Sequence, residues 1–216
     1  TLSDGTNVMD AYDYIDYTAN DGADQPTFWN PTFTLMALQY EMLFIYSDKT
    51  TYLNDNTKKE SLILEAAAES IDEFIAQGGK AFIIGYFNNP LDAQSNLLRV
   101  LNIESIDPNS TGLFLEQGAN ALISQESGYQ NLGTNKFPET VSPFEKTTDV
   151  ISIYEGKFSG KTPAYTGPKT VGIKKVNEAT GKTYQVYIAA SMADLDYSFT
   201  KVDSLFHHVL NVEFDW

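Results

Sequence analysis

Residues 57–86 constrain the fold more than any other part of the chain. Leu64, Ala68, Ile71 and Ile75 recur at helical spacing with Ala67 and Phe74 beside them, while Lys58, Glu65, Glu69 and Asp72 take the opposite face. This pattern predicts an amphipathic helix over 57–77. Gly78-Gly79 ends it, because glycine accepts the left-handed backbone that a helix C-terminus favours. Lys80-Ala81-Phe82-Ile83-Ile84-Gly85-Tyr86 follows at once, a short apolar run without alternation, which is the pattern of a strand buried on both faces. Met42-Leu43-Phe44-Ile45-Tyr46-Ser47 upstream has the same character. The expectation is two parallel strands side by side in a layered sheet, joined by the amphipathic helix.

Around this unit the patterning is weaker. Residues 30–39 read as a short helix and 12–17 as a strand, the latter diluted by Asp13 and Asp16. Residues 91–101 read as a helix with Leu97, Leu98 and Leu101 on one side, and Pro90 suits its start, where a missing N–H costs nothing. From 107 to 147 the pattern is irregular, with one helix expected near 113–124. Order returns with a strand at 150–154 and a hairpin pairing 171–176 with 184–188 across Asn177 to Lys182. A closing helix carries Val202, Leu205, Phe206, Val209 and Leu210 on one face. Without a repeat or a linker, residues 1–216 read as a single α/β domain, a size that open sheets reach without splitting.

Composition narrows the partners. The net charge of −15 repels phosphate backbones and anionic lipid, so nucleic-acid and peripheral-membrane roles are not expected, and a soluble monomer is. The absence of cysteine removes disulfides, thiolate metal sites and cysteine nucleophiles together. No apolar run approaches the length needed to cross a bilayer as a helix. The start at Thr1-Leu2-Ser3-Asp4 reads as a trimmed piece of a longer exported bacterial protein, of the periplasm or the cell surface.

The order of these parts resembles the class I glutamine amidotransferase-like superfamily. The carriers are the strand at 42–47, the helix ending Phe74-Ile75-Ala76-Gln77-Gly78-Gly79-Lys80, the strand at 81–86, the late hairpin and the terminal Leu205-Phe206-His207-His208-Val209-Leu210 helix. The resemblance covers 35–93 and 171–210 and is nearest to secreted, non-catalytic branches. It implies a flavodoxin-like three-layer sandwich with a mostly parallel central sheet and a C-terminal β-hairpin. Members with activity carry a cysteine on the turn after a central strand and a histidine after a late strand. The matching positions here are Gly85-Tyr86-Phe87-Asn88-Asn89 and Ala189-Ala190-Ser191-Met192, with neither residue present. The resemblance thus implies a fold and carries no nucleophile or base with it.

Other motifs have plainer readings. Gly160-Lys161-Thr162 and Gly181-Lys182-Thr183 lack the earlier glycine of a phosphate loop, whose place is taken by Glu155 and Val176, so both read as turns. His207 and His208 are adjacent, point about 100° apart on a helix, and read as residues of its exposed flank. Asp10, Asp13, Asp16, Asp21 and Asp24 are rich in oxygen ligands, but Asn20-Asp21-Gly22-Ala23-Asp24 does not follow EF-hand spacing. Asp21 and Asp24 are weak metal candidates, a solvated loop is preferred, and no cofactor is expected. No G-x-S-x-G elbow occurs.

Two groups suit a ligand. Tyr86, Asn88, Asn89 and Asp92 follow a predicted parallel strand, at the end where α/β sheets bind. Trp29, with Tyr12, Tyr14, Tyr17, Phe28 and Phe33, supplies flat rings with polar rims that suit a glycan or a protein, although aromatics in such numbers also build cores. The expected function is non-catalytic binding of a ligand or partner at the bacterial surface. A carboxylate-dependent hydrolase of extracellular carbohydrate and a structural spacer are the alternatives.

Overall fold

The computed structural model describes residues 37–46, 59–85, 95–107, 113–134, 143–160, 162–190, 195 and 200–216. The chain runs β1 (Met42–Tyr46), α1 (Lys59–Ala76), β2 (Lys80–Ile84), α2 (Asn96–Val100), β3 (Ile103–Ile106), β4 (Phe114–Leu115) and β5 (Gly118–Ser124). It continues through β6 (Leu132–Thr134), β7 (Phe144–Lys146), β8 (Ile151–Gly156), β9 (Phe158–Ser159), β10 (Thr170–Val176) and β11 (Thr183–Ile188) to α3 (Thr200–His208) and a π-helical turn at Val209–Glu213.

The strand–helix–strand unit is present. Gly78 closes α1 at φ 94° and donates its N–H to the Ile75 carbonyl. Gly79 solves a different problem, for a Cβ there would lie 2.3 Å from the Phe74 ring, so only glycine lets the chain turn directly into β2. β1 and β2 pair parallel in unbroken register from Met42↔Lys80 to Tyr46↔Ile84. Ala81, Phe82, Ile83 and Ile84 are all buried, as a run without alternation requires. The late hairpin also forms, β10 against β11, with Gly181 at φ 70° in its turn and Asn177 Oδ1 accepting from the N–H groups of Ala179 and Thr180. Gly181-Lys182-Thr183 is thus turn chemistry.

The sheet as a whole is different from the one expected. Its seven strands run β1-β2-β11-β10-β8-β5-β6, with parallel pairing confined to β1-β2 and β2-β11 and every other pair antiparallel. The mostly parallel, flavodoxin-like or amidotransferase-like three-layer sandwich is therefore replaced by a mixed, mostly antiparallel sheet curled into a half-barrel.

The difference originates in the segment read as irregular. Residues 113–124 form β4 and β5 in place of a helix, with Leu113, Leu115, Ala121 and Leu122 buried. Gly118, at φ 122°, and Asn120 are poor helix formers, and β5 gains partners on both sides, β6 and β8. α2 begins at a Ser95 cap, whose Oγ accepts from the Leu98 N–H at 3.4 Å, and not at Pro90, which lies outside the described residues. Residues 12–17 and most of the helix expected over 30–39 also lie outside them.

Helices cover both faces at the parallel end. Gln185 stands beside Ala81 in the β2–β11 register, and its amide donates to the Val100 carbonyl at 2.7 Å, which places α2 on that face. Phe82, the next residue along, points the other way by the alternation of a strand. There it meets Phe206 of α3, and Phe44, Phe82 and Phe206 lie mutually 5.2 Å apart between ring centres. Among the described residues no helix is long and apolar enough to cross a membrane.

Candidate functional site

The three parallel strands finish level. Tyr46 of β1, Ile84 of β2 and Ile188 of β11 are in register, and the Gly85 N–H donates to the Ile188 carbonyl at 3.0 Å. Their carboxyl ends therefore lie together at one end of the sheet, the end at which ligands of parallel sheets commonly sit. Tyr86, Asn88, Asn89 and Asp92 follow β2 at this end in sequence. Those four, together with Trp29, Asp21 and Asp24, lie outside the described residues, so the strand end is placed and their side chains are not.

A second polar group is assembled where the C-terminal segment crosses β10 and β11. Lys174 Nζ stands 2.9 Å from Glu213 Oε1 and 3.4 Å from Glu126 Oε2, and Thr183 Oγ1 donates to the other Glu213 oxygen. His208 Nε2 is 3.4 Å from Glu213 Oε1, and its ring meets Tyr129 edge-on at 4.5 Å. Lys174 also lies 5.8 Å from the Tyr129 ring centre. The side chains of Glu213, Lys174 and His208 are only 8%, 12% and 14% exposed, so this is an interior ion cluster.

Local structure explains its geometry. Gly128, at φ 92°, has no room for a Cβ, which would sit 2.3 Å from His208 Cε1, so the β5–β6 turn can close directly over the histidine. The π-helical turn widens the last turn of the chain and brings Glu213 to His208 and to Lys174 together. Burial by itself would raise the Glu213 carboxyl, but the hydrogen bonds from Thr183 and Lys174 outweigh it and hold the group below its ordinary value. The Tyr129 phenol is pushed upward, first by burial and then by the Glu213 carboxylate it faces, although its hydroxyl stays outside hydrogen-bonding geometry.

No family model, curated protein or solved structure matches this chain.

Function must then be read from the geometry. A glycosidase pair needs one carboxyl kept protonated and another kept ionised. Lys174 stands between Glu126 and Glu213, and Glu213 is held in its ionised form, so Glu213 is not the acid of such a pair. The chemistry available here is ion pairing, which ties the C-terminal turn to the sheet. Among the described residues no group of three or more His, Asp or Glu side chains is arranged to hold a metal.

A related network lies on the α2 face. Asn102, at φ 58°, donates to Gln185 Oε1 at 2.8 Å and accepts from Lys175 Nζ at 2.5 Å, and Lys175 also meets Asp149 at 2.6 Å. The hydrogen bonds from Lys175 and Thr147 hold the Asp149 carboxyl down at about 2.

Sequence reasoning placed both histidines on an exposed flank, and this holds for His207 alone. His208, the last residue of α3, faces inward, with its ring edge-on to Tyr129 and its Nε2 3.4 Å from Glu213 Oε1, which the π turn that follows brings back toward it. The ion cluster itself was missed, since its members come from 126–129, 174, 183 and 208–213. The one available signal was the Lys174-Lys175 pair inside a strand, directly after the apolar Val171-Gly172-Ile173.

Proposed function

We propose that this chain is a non-catalytic binding domain of an exported bacterial protein, acting at the cell surface through the end of the sheet where β1, β2 and β11 finish. The observation that supports it is the level ending of three adjacent parallel strands at Tyr46, Ile84 and Ile188. Such an end gathers several connecting segments. Tyr86, Asn88, Asn89 and Asp92 enter the chain directly after the central strand of the three. A phenol ring with amides and a carboxylate is the side-chain set that stacks on a sugar face and hydrogen-bonds its hydroxyls, so a glycan is the ligand class proposed.

Calorimetric titration of the native chain and of Tyr86→Ala, Asn88→Ala and Asp92→Ala with a panel of neutral bacterial and plant polysaccharides tests this. The expected result is heat of binding with the native chain that falls at least tenfold in affinity in the Tyr86 variant. An absence of heat throughout, or native affinity in all three variants, removes the reading. The Glu126–Lys174–Glu213 group, in which one ammonium serves two carboxylates, offers no support for the hydrolase alternative.

A further inference from the structure

Lys175, Asn102 and Asp149 bring an amine, a carboxamide and a carboxylate into direct contact. Lys175 Nζ lies 2.5 Å from Asn102 Oδ1 and 2.6 Å from Asp149 Oδ2. The carboxamide is fixed as well as buried. Its Nδ2 donates to the Val100 carbonyl at 3.2 Å and to Gln185 Oε1 at 2.8 Å, and Gln185 is oriented by its own bond to Val100. Both Nδ2 protons are thus engaged, and Oδ1 is the atom turned to the lysine. Asn102 is only 8% exposed, so water has little access to its carbonyl carbon. Its left-handed backbone, at φ 58°, is that of a residue just after a helix, a place that glycine serves equally well. What asparagine adds there is the carboxamide held against Nζ.

We infer that Lys175 and Asn102 join through an intramolecular amide bond, formed once per molecule with Asp149 as the proton carrier. The hydrogen bond from the ammonium polarises the Asn102 carbonyl, and transfer of one proton to Asp149 frees the Nζ lone pair to attack Cγ. The Nζ–Cγ bond forms and the Cγ–Nδ2 bond breaks. Of the three ammonium protons, one stays on the new amide and two pass by way of Asp149 to Nδ2, which leaves as an ammonium ion. Asp149 ends ionised as it began, and nothing is oxidised or reduced. At rest the proton belongs to Lys175, since the same contact holds the Asp149 carboxyl at about 2. The reaction is therefore slow, and a single turnover needs no more. Asp149 is the poorer electrophile of the two candidates, being ionised and half-exposed.

The bond ties the junction of α2 and β3 to β10, across 73 positions of sequence. In a chain without cysteine it closes a long loop covalently where no disulfide can, and reductants do not open it. It does not depend on the glycan reading.

Intact-mass spectrometry of the native protein, incubated at neutral pH and then denatured, tests this together with a tryptic map. The expected result is a mass lower by one ammonia, with residues 100–136 recovered joined to 175–182. Lys175→Arg, which keeps the charge beside Asp149, and Asn102→Gly, which keeps the backbone, are expected to retain their full mass. Asp149→Ala is expected to form the joined peptide at least tenfold more slowly. A native chain that keeps its full mass after prolonged incubation overturns the inference. So does loss of water in place of ammonia, loss of ammonia without the joined peptide, or an Asp149→Ala chain that reacts at the native rate.

Discussion

Lys174 Nζ lies 2.9 Å from Glu213 Oε1, inside a protein whose net charge is −15. The pair joins the middle of the antiparallel hairpin strand β10 to the last turn of the chain, and Thr183 of β11 completes the carboxylate's hydrogen bonds. Removing one member leaves the other buried and underpaired. Glu213→Ala is expected to cost about 3 kcal/mol of unfolding free energy, the low end for a broken buried pair because Glu126 still faces the lysine. Urea denaturation followed by tryptophan fluorescence checks this, and a loss under about 1 kcal/mol would place the pair among ordinary surface bridges.

Acid should weaken the same contact. The Glu213 carboxyl is lowered in the folded state, so its contribution is complete above the unfolded carboxylate value near ~4.3 and is lost as pH falls through the lower folded value. Asp149, held at about 2, acts with the same sign in the same window. The gap in melting temperature between native chain and Glu213→Gln is expected to be constant from neutral pH to about pH 5 and to shrink steadily below pH 4. A gap that widens on acidification contradicts the assignment.

The β5–β6 turn offers a steric test. Gly128→Ala would place a Cβ against His208 on a backbone at φ 92°, so crowding and strain act together. A loss of about 2–3 kcal/mol is expected, with His208→Ala in the same chain relieving the crowding and leaving only the backbone part. Double-mutant analysis of thermal melts separates the two, and strict additivity would show that glycine is there for its backbone alone.

The ring triangle joins α3 to the parallel strands. Phe206→Ala is expected to lose about 2–3 kcal/mol, less than a fully buried phenylalanine because the ring is only partly covered. The conservative Phe206→Leu should recover most of the loss in chemical denaturation. A neutral Phe206→Ala would mean that α3 is held by Leu205 and Val209 without the aromatic contact.

How far the sequence could be read depended on the range over which its signals act. α1 and β2 were legible because eighteen residues of helical period, a double glycine and an unbroken apolar run each act locally and agree. The β10–β11 hairpin was legible for the same reason, through its Asn and Gly turn residues. The antiparallel half was not. β4 has two residues and β6 three, too short for alternation to register, and β5 opens with Gly118-Ala119-Asn120, which carries no apolar face. Neighbours distant in sequence decide such strands, as β8 decides β5.

The parallel unit then misled by analogy. A buried strand flanked by helices suggests a parallel sheet throughout, yet β11 is the place where the direction rule changes: it is parallel to β2 on one side and antiparallel to β10 on the other. Of the candidate site, the strand end was legible to within two residues, since the apolar run reads as a strand to Tyr86 and β2 ends at Ile84. The ion cluster was not, since Glu126, Lys174 and Glu213 acquire meaning only when three separate segments converge.

Amide chemical-shift perturbation is the most direct test of where this protein binds. In a titration with whichever neutral polysaccharide gives calorimetric heat, the account predicts that Tyr46, Gly85 and Ala189 shift together while Met42, Lys80 and Thr183, at the far ends of the same strands, stay still. Shifts gathered at the far ends, or around Lys174 and Glu213, would contradict it.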